Sequence, residues 1–262
     1  MTEAKTSDNP FVAYYEEQSA SPGALAHFAR VRASLLAIFS DQRSSARLRV
    51  ADVGCGAGTF SRIWAREGAE VKGIDVNASL IQIARQRADA ERLCIEFAVG
   101  SATELPWSDR DFDIVVMPEL LEHVEDWRRC LREGVRVLDA GGLLYLTTTN
   151  RLCPKQQEFS LPLYSWYPAR LKKRCLDRAV TDRRHWVSHA EYPAVHWFSP
   201  YQLAEEFVAL GLEPLDRFQV FRRFSPSMPK RIAGAIADSL PPLRFLGHVL
   251  TPSTVIIGRK VA

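Results

Sequence analysis

The sequence predicts a doubly wound α/β fold, in which a parallel sheet is covered by helices on both faces. The pattern of apolar residues and the overall composition lead to this prediction. Short, nearly continuous apolar runs alternate with helical patterns from residue 48 to residue 150, and such runs are typical of strands buried on both faces. The chain has 262 residues, of which 47% are hydrophobic and 25% charged. These proportions are those of an ordinary globular protein and exclude the disordered and fibrous classes.

The first elements follow one another closely along the chain. Apolar residues at helical spacing predict an amphipathic helix over residues 22–39. The alternating part then predicts strands at about 48–53, 70–75, 93–98, 112–117 and 143–149, and helices near 60–67, 78–90 and 126–138. The regular alternation stops after Asn150.

Two long intervals interrupt the rest of the chain. Residues 151–198 contain prolines, aromatic residues and nine lysines and arginines against four acids, with a weak helical pattern near 167–179. That length is too great for an ordinary loop. Ser199 then predicts the N-cap of a helix that stops at Gly211. Strands are expected near 213–222 and 253–260, on either side of the second interval, residues 223–250.

Charge and cysteine usage indicate the cellular setting. The net charge of +3 is too small to predict a nucleic-acid partner, and none is expected. The five cysteines are scattered and include no C-x-x-C pair, which favours reduced thiols in a cytoplasm. The N-terminus does not resemble a signal peptide, and no stretch approaches the roughly 18 apolar residues of a spanning helix. A cytoplasmic location without a transmembrane segment is therefore expected.

The stretch "RVADVGCGAGTFSRIWAREGAEVKGID" predicts a ligand site. Gly54, Gly56 and Gly58 lie between an apolar strand and a helix, where glycines let the backbone turn sharply and approach a ligand. Asp75 ends the next strand, where its carboxylate can accept hydrogen bonds from both hydroxyls of a ribose. Asp52, directly before the loop, would repel a pyrophosphate and hold a cationic group. A ribose with a cationic amino-acid end and no phosphate describes S-adenosylmethionine.

Five motifs in order resemble the class I S-adenosylmethionine-dependent methyltransferases, nearest to the ubiquinone-biosynthesis O-methyltransferase group. They are "DVGCGAG", "GID", "FAVGSATELPW", "FDIVVMPELLEHV" and "LDAGGLLYLTTTNR". The resemblance implies a Rossmann-like sheet of seven strands in the order 3-2-1-4-5-7-6, the last antiparallel. It also implies one domain over residues 1–262, with a helical cap over 1–47, a cofactor-binding core over 48–150 and substrate-lid insertions over 151–198 and 223–250. The implied cofactor is S-adenosyl-L-methionine and its product S-adenosyl-L-homocysteine.

The resemblance further implies which residues bind the cofactor. In the core these are Asp52, Gly54, Cys55, Gly56, Gly58, Asp75, Val76, Ser101, Ala102 and Glu119. Ser101 stands where many relatives have an acid that accepts a hydrogen bond from the adenine amino group, so we expect binding to depend more on the Ala102 backbone and on Val76. Tyr14, Tyr15 and Arg30 are candidates to close over the methionine carboxylate, with ordinary surface or packing roles as the alternative.

Methyl transfer to oxygen usually needs a base, and histidines supply the candidates. His123 follows the fourth strand and is either that base or a structural residue of the turn. His185, His189 and His196 lie in the first interval among tryptophans and a tyrosine, a composition typical of a substrate pocket. The spacing of Glu119, Glu122 and His123 could suit a divalent ion, but no fourth ligand is apparent. No metal is therefore expected, and Glu122 is expected to be a solvated helix residue.

The two intervals are expected to form a joint lid that selects the acceptor, because both leave the sheet edge that carries the glycine loop. Their basic and aromatic composition leaves three interpretations open: solvated surface, recognition of an acidic or phosphorylated acceptor, or peripheral contact with an anionic membrane. The predicted function is O-methylation of a hydroxyl on a quinone-like, phenolic or natural-product small molecule. N- or C-methylation, a glycan or lipid-linked acceptor, and a non-catalytic scaffold or sensor remain alternatives.

Overall fold

A computed structural model describes residues 19–39, 47–155, 159, 161–181, 194–225 and 227–261. Its strands are β1 (Arg49–Val53), β2 (Glu70–Asp75), β3 (Ile95–Val99), β4 (Phe112–Pro118), β5 (Leu138–Thr149), β6 (Leu212–Asp216) and β7 (Ser253–Lys260). Its α-helices are α1 (Pro22–Phe39), α2 (Thr59–Arg66), α3 (Ala78–Ala90), α4 (Trp127–Val137), α5 (Ala169–Thr181), α6 (Pro200–Ala209), α7 (Arg217–Phe224), α8 (Met228–Ser239) and α9 (Pro241–Val249). Short 3-10 helices cover Leu121–His123 and Tyr164–Trp166.

The described strands form one mixed sheet of seven, in the order β3-β2-β1-β4-β5-β7-β6. The first five pair in parallel, and β7 lies antiparallel between β5 and β6. The predicted fold class and strand order are thus confirmed. Because β6 runs in the same direction as β5, the carboxyl ends of β1, β4, β5 and β6 meet at one edge of the sheet, where ligands of such folds bind.

Helices cover both faces of the sheet. In β4, Ile114 and Val116 pack toward α1, α2 and α7, whereas Val115 and Met117 pack toward α4 and α6. This alternation follows from the two-residue period of a strand. Both sets of side chains are fully buried, which explains why the sequence of β4 is a continuous apolar run.

The predicted strand over 213–222 is wrong beyond Asp216. Asp216 Oδ1 accepts hydrogen bonds from the backbone N–H groups of Phe218 and Gln219, each at 3.0 Å. The Gln219 side chain accepts in return from the Asp216 N–H at 3.0 Å. This capping box starts α7 at Arg217 despite the apolar content of the segment. The second long connection therefore begins at residue 217 and contains α7, α8 and α9.

The other expected elements need smaller corrections. β5 begins at Leu138, earlier than expected, and its register with β4 shifts between Phe112 and Ile114. The weak helical pattern in the first interval corresponds to α5. Gly211 has a φ of 76° and follows the end of α6, as predicted from its sequence position. No helix in the part of the chain that the structure describes is long and apolar enough to cross a membrane.

Candidate functional site

The glycine loop between β1 and α2 adopts backbone angles that side chains rarely allow. Gly54, Gly56 and Gly58 have φ values of 75°, 51° and 72°. A Cβ on Gly54 would lie 2.8 Å from a methyl of Leu120, and one on Gly58 would lie 2.8 Å from Ala84 Cβ. Beside Gly56 the nearest atom is 4.0 Å away. The left-handed φ favours glycine at all three positions, packing against Ala84 also requires it at Gly58, and Gly56 leaves open space on the loop.

Asp75 ties the end of β2 to this loop. Its Oδ2 accepts a hydrogen bond from the Gly56 N–H at 2.9 Å, and its Oδ1 accepts from the Asn77 N–H at 2.8 Å. Burial raises the pKa of Asp75, while these two backbone donors oppose the rise. Each carboxylate oxygen keeps a second lone pair. The orientation therefore leaves the group able to accept two further hydrogen bonds from a ligand over the loop.

Val76, Ser101 and Ala102 follow β2 and β3 at the same edge. The Val76 side chain is 68% exposed, which is unusual for a large apolar residue next to a buried strand and suits contact with a flat ring. Ser101 Oγ accepts from the Thr103 N–H at 3.2 Å and shares a hydrogen bond of 2.8 Å with the Thr103 hydroxyl. Ala102 packs partly against the main core. The Ser101 hydroxyl is thus already engaged within its own turn.

Asp52 is fully buried beneath the loop. Its Oδ2 accepts a hydrogen bond of 2.6 Å from the Ser61 hydroxyl, and its Oδ1 is buried with no hydrogen-bond partner among the described residues. Burial raises the pKa of Asp52 to about 7, against the opposing effect of Ser61. An orphaned carboxylate oxygen at this position fits a ligand that brings a positive charge.

The Cys55 thiol does not face the space above the loop. It packs in an apolar cluster with Ile81, Ala84 and Phe97, and burial raises its pKa well above the usual value. Only the backbone of Cys55 remains as a candidate to contact a ligand, because the backbone belongs to the loop itself.

Glu119 occupies a strained position directly after β4. Its φ is 48°, in the left-handed region that residues other than glycine seldom adopt. Its N–H donates to the Thr147 carbonyl at 2.9 Å, with the Thr147 hydroxyl also within 3.1 Å. The side chain is exposed at the carboxyl edge. Such backbone strain in ordered structure is often found at ligand sites.

Three further residues that the sequence analysis missed lie around Glu119. We call His27 of α1, Glu119, Tyr145 of β5 and Arg217 of α7 the polar cluster. Burial and the neighbouring Arg30 lower the pKa of His27, and the negative charge of Glu119 opposes that fall. The same charge acts on Tyr145 and on Arg217. Burial is the main cause that raises the pKa of Tyr145 and lowers that of Arg217. Only their positions in the sequence could have indicated two of them. Tyr145 lies before the carboxyl end of β5, and Arg217 directly follows the carboxyl end of β6.

Arg217 has donor capacity left within the polar cluster. Its guanidinium donates one hydrogen bond from Nη2 to the Ser253 carbonyl. Its Nε is buried and has no hydrogen-bond partner among the residues that the structure describes. A buried N–H of a cation without an acceptor is unfavourable. The arrangement therefore suits an acceptor atom, preferably an anionic oxygen, supplied by a ligand.

His196 is brought to the turn that carries His123. The N–H groups of Val195 and His196 both donate to the Glu122 carbonyl, at 2.8 and 3.2 Å. His196 Nε2 lies 3.2 Å from the Glu125 carbonyl, so donation from Nε2 leaves Nδ1 as the acceptor nitrogen. His123 is half-buried in the 3-10 helix after β4. Two of the predicted histidines therefore meet at the carboxyl edge, and we call His123 and His196 together the histidine turn.

Other candidates lie on α1 or outside the described residues. Arg30 is exposed on α1 and lies close enough to His27 to lower the pKa of that histidine. His185, His189, Tyr14 and Tyr15 are outside the part of the chain that the structure describes, so their predicted roles stay predictions.

Glu122 is not the solvated helix residue that was expected. It is fully buried, and its Oε2 accepts a hydrogen bond from the Thr148 hydroxyl at 2.8 Å. Burial and the neighbouring Glu119 raise the pKa of Glu122 well above its usual value. The cause is the 3-10 turn, which directs this side chain inward against β5. Among the described residues no group of three or more His, Cys, Asp or Glu side chains is placed to hold a metal ion.

The comparisons with known proteins agree with this architecture. Residues 51–146 match the family described as "Methyltransferase domain". A ubiquinone biosynthesis O-methyltransferase of Coxiella burnetii is 32% identical over 142 residues, which are 54% of this chain and 58% of the relative. One of Rhizobium etli is 30% identical over 202 residues, covering 76% of this chain and 74% of the relative. The chain therefore belongs to the S-adenosylmethionine-dependent methyltransferases.

A solved structure supports the fold independently. The S-adenosylmethionine-dependent methyltransferase of Mesorhizobium loti superposes with a TM-score of 0.54, covering 87% of this chain and 98% of that one, at 17% identity. Identity this low supports the fold alone. The chain spans little more than half the length, 58%, of the Coxiella burnetii relative.

The raised pKa of Asp52 predicts a pH-dependent stability of the ligand-free protein. Because protonation is favoured in the folded state, this contribution is complete below about pH 4 and is lost as the pH rises through about 7. We expect Asp52→Asn to reduce the fall in unfolding free energy over that range by roughly 2–4 kcal/mol. Urea unfolding at a series of pH values measures it, with the exposed Asp89→Asn as the matched control. An unchanged pH profile in Asp52→Asn would contradict the assignment.

Proposed function

We propose that the protein transfers the methyl group of S-adenosylmethionine to a hydroxyl oxygen of a quinone-like, phenolic or related natural-product molecule. The observation that carries this proposal is the meeting of two sites at one sheet edge. The glycine loop with Asp75 forms a donor site, and the polar cluster around Arg217 offers unused capacity to bind an acceptor oxygen. Relatives that carry the name ubiquinone biosynthesis O-methyltransferase support oxygen as the methylated atom.

The donor site fits the cofactor in charge and in shape. S-adenosylmethionine supplies a methyl carbon activated by a positively charged sulfur. Asp75 would accept hydrogen bonds from the ribose hydroxyls, and Val76 with the Ala102 backbone would hold the adenine. The Ser101 hydroxyl contributes less, since it is engaged with Thr103. The open space at Gly56 admits the ligand close to the backbone.

Acidic groups in this proposal face the charged end of the cofactor. Asp52 would complement the ammonium group from beneath the loop, and Glu119 would hold the methionyl end. We assign the cofactor carboxylate to Arg30, which is on the same helix, α1, as His27. The charges of Asp52 and Asp75 also act on the buried Cys55 thiol, so the loop as a whole is a negative environment. A monocation is therefore bound in preference to a phosphate.

In this proposal the polar cluster and the histidine turn bind the acceptor. Arg217 donates to an acceptor oxygen that carries negative charge, and the buried Tyr145 hydroxyl lies beside it. His123 removes the proton of the attacking hydroxyl, with His196 at the neighbouring position as the second candidate base. The rest of the rate acceleration comes from alignment of the attacking oxygen with the methyl group and from exclusion of water. We assign that exclusion to the connections that follow β5 and β6.

The donor site is tested through Asp75. Asp75→Ala should weaken binding of S-adenosyl-L-homocysteine by about 1–3 kcal/mol, because hydrogen bonds to the ribose are lost. Isothermal titration calorimetry measures the Kd. The exposed Asp89→Ala serves as the matched control, and Asp75→Asn should retain part of the affinity. An unchanged Kd in Asp75→Ala would rule out the proposed ribose contact.

The reaction is tested with a panel of catechols and hydroxyquinones, together with the corresponding anilines. We expect S-adenosyl-L-homocysteine to form with the hydroxyl compounds and not with the amines. His123→Ala should lower kcat by about a hundredfold or more, as loss of a general base does. Arg217→Met should raise the acceptor KM about tenfold or more by removing a charged hydrogen bond, without changing the cofactor Kd.

The control for Arg217→Met is Arg223→Met, since Arg223 is an exposed arginine of the same helix. Transfer to amines alone would contradict methylation of oxygen. Normal cofactor binding with no transfer to any compound of the panel would favour the scaffold or sensor alternative.

A further inference from the structure

Helices α8 and α9 have an inverted amphipathic pattern. The residues that they turn inward, toward α7 and the end of β6, are small or polar: Gly234, Ala237 and Asp238 on α8, and Arg244, Gly247 and His248 on α9. A surface helix of a water-exposed protein normally buries its apolar residues and exposes its polar ones. Here the large apolar side chains are on the outside.

The inward orientation is fixed by close contacts. A Cβ on Gly234 would lie 2.7 Å from the Arg222 nitrogen, and one on Gly247 would collide with the Phe218 ring. Arg244 Nε donates to Asp216 Oδ2 at 2.8 Å, and His248 Nε2 lies 3.0 Å from the same oxygen. Rotating either helix to bury its apolar side would break this packing. The exposed apolar side is therefore a stable feature of the fold.

We name the exposed side of α8 and α9 the apolar face. Its members are between 43% and 79% exposed. They are Met228, Ile232, Ile236, Leu240, Leu243, Phe245, Leu246 and Leu250. The first three repeat at every fourth residue and so form one stripe along α8. Single exposed apolar residues are ordinary, but a continuous patch of this kind marks an interaction surface.

The exposed charged side chains of residues 217–250 are all positive. Residues 217–250 contain six lysines and arginines and one acid. That acid, Asp238, is turned inward and bonds with Arg222 and Arg244. Lys230 and Arg231 are exposed on α8. Apolar side chains flanked by exposed cations are the features of helices that lie in the interface of an anionic membrane.

The apolar face also lies near the candidate site. Asn150, which directly follows β5, donates from Nδ2 to the carbonyls of His248 and Thr251, each at 2.7 Å. The end of α9 is thereby held at the carboxyl edge of the sheet, where the polar cluster and the histidine turn lie. A surface bound at the apolar face would consequently adjoin the entrance to the site.

We propose that the apolar face of α8 and α9 docks on an anionic lipid membrane. The two helices lie in the plane of the interface, with the apolar side chains among the acyl chains and Lys230 and Arg231 at the headgroups. The proline pair at the start of α9 separates the two helices without burying either apolar side. This docking goes beyond the proposed methyl transfer and does not depend on it.

Vesicle flotation of the full chain tests the proposal. The wild-type protein should float with vesicles of phosphatidylcholine and phosphatidylglycerol, and much less with phosphatidylcholine alone. Ile236→Glu with Leu246→Glu should lower the partition coefficient at least about tenfold, because apolar area no longer enters the bilayer. Lys230→Gln with Arg231→Gln should lower it about fivefold per charge removed, and high salt should reproduce that loss.

The matched control is Val208→Glu, an exposed apolar position of α6 with 62% exposure, which should leave flotation unchanged. Thermal unfolding and cofactor binding verify that each variant is folded. Absence of wild-type binding to anionic vesicles, or equal binding by Ile236→Glu with Leu246→Glu, would overturn the proposal. Concentration-dependent dimerisation that this variant abolishes, without vesicle binding, would identify the apolar face as an interface between two copies of the chain.

Discussion

A set of buried acidic groups without cationic partners, at the carboxyl edge of the sheet, is the constraint on which the rest of the site depends. Asp52, Asp75 and Glu122 are buried or largely buried there, and their pKa values are raised by that burial. Their hydrogen bonds come from hydroxyl and backbone N–H groups. No lysine or arginine bonds to these three carboxyl groups in the part of the chain that the structure describes. A ligand that brings positive charge would complete this environment.

The backbone around these acids is arranged to hold them in place. The left-handed glycines let the loop close over Asp52 and present an N–H to Asp75. Glu119 adopts an unfavourable backbone conformation directly after β4. The sheet brings four strand ends to one edge. Because β7 is antiparallel to its neighbour β6, the carboxyl end of β6 lies at that edge, and α7 begins there. Arg217 therefore reaches a position beside Tyr145 although the two residues are far apart in sequence.

Much of the fold could be predicted because its signals are local. The continuous apolar runs of β1 and β4 and the cap at Ser199 each fix their element within a few residues of sequence. The boundary after β6 could not be predicted in this way, since the capping box at Asp216 outweighs the apolar content of the segment that follows. Glu122 was misjudged for a similar reason, because a 3-10 turn directs its side chain opposite to the expected helix.

The residues of the candidate site also differ in whether their sequence signals are local. The glycine loop and Asp75 are close in sequence and form a recognisable motif, so both could be predicted. His27, Tyr145 and Arg217 come from three distant segments and share no spacing that a sequence pattern could reveal. Their association depends on the strand order and on the packing of α1 and α7 over one face.

The most direct test of the central claim is the proton balance of cofactor binding. Calorimetric titration with S-adenosylmethionine near pH 7, in buffers of different ionisation enthalpy, reports protons released by the protein. A bound cation should lower the pKa of Asp52 from about 7, so net proton release is expected and should disappear in Asp52→Asn. Binding without proton release, or release that Asp52→Asn leaves unchanged, would contradict the claim that the cofactor's charge completes this site.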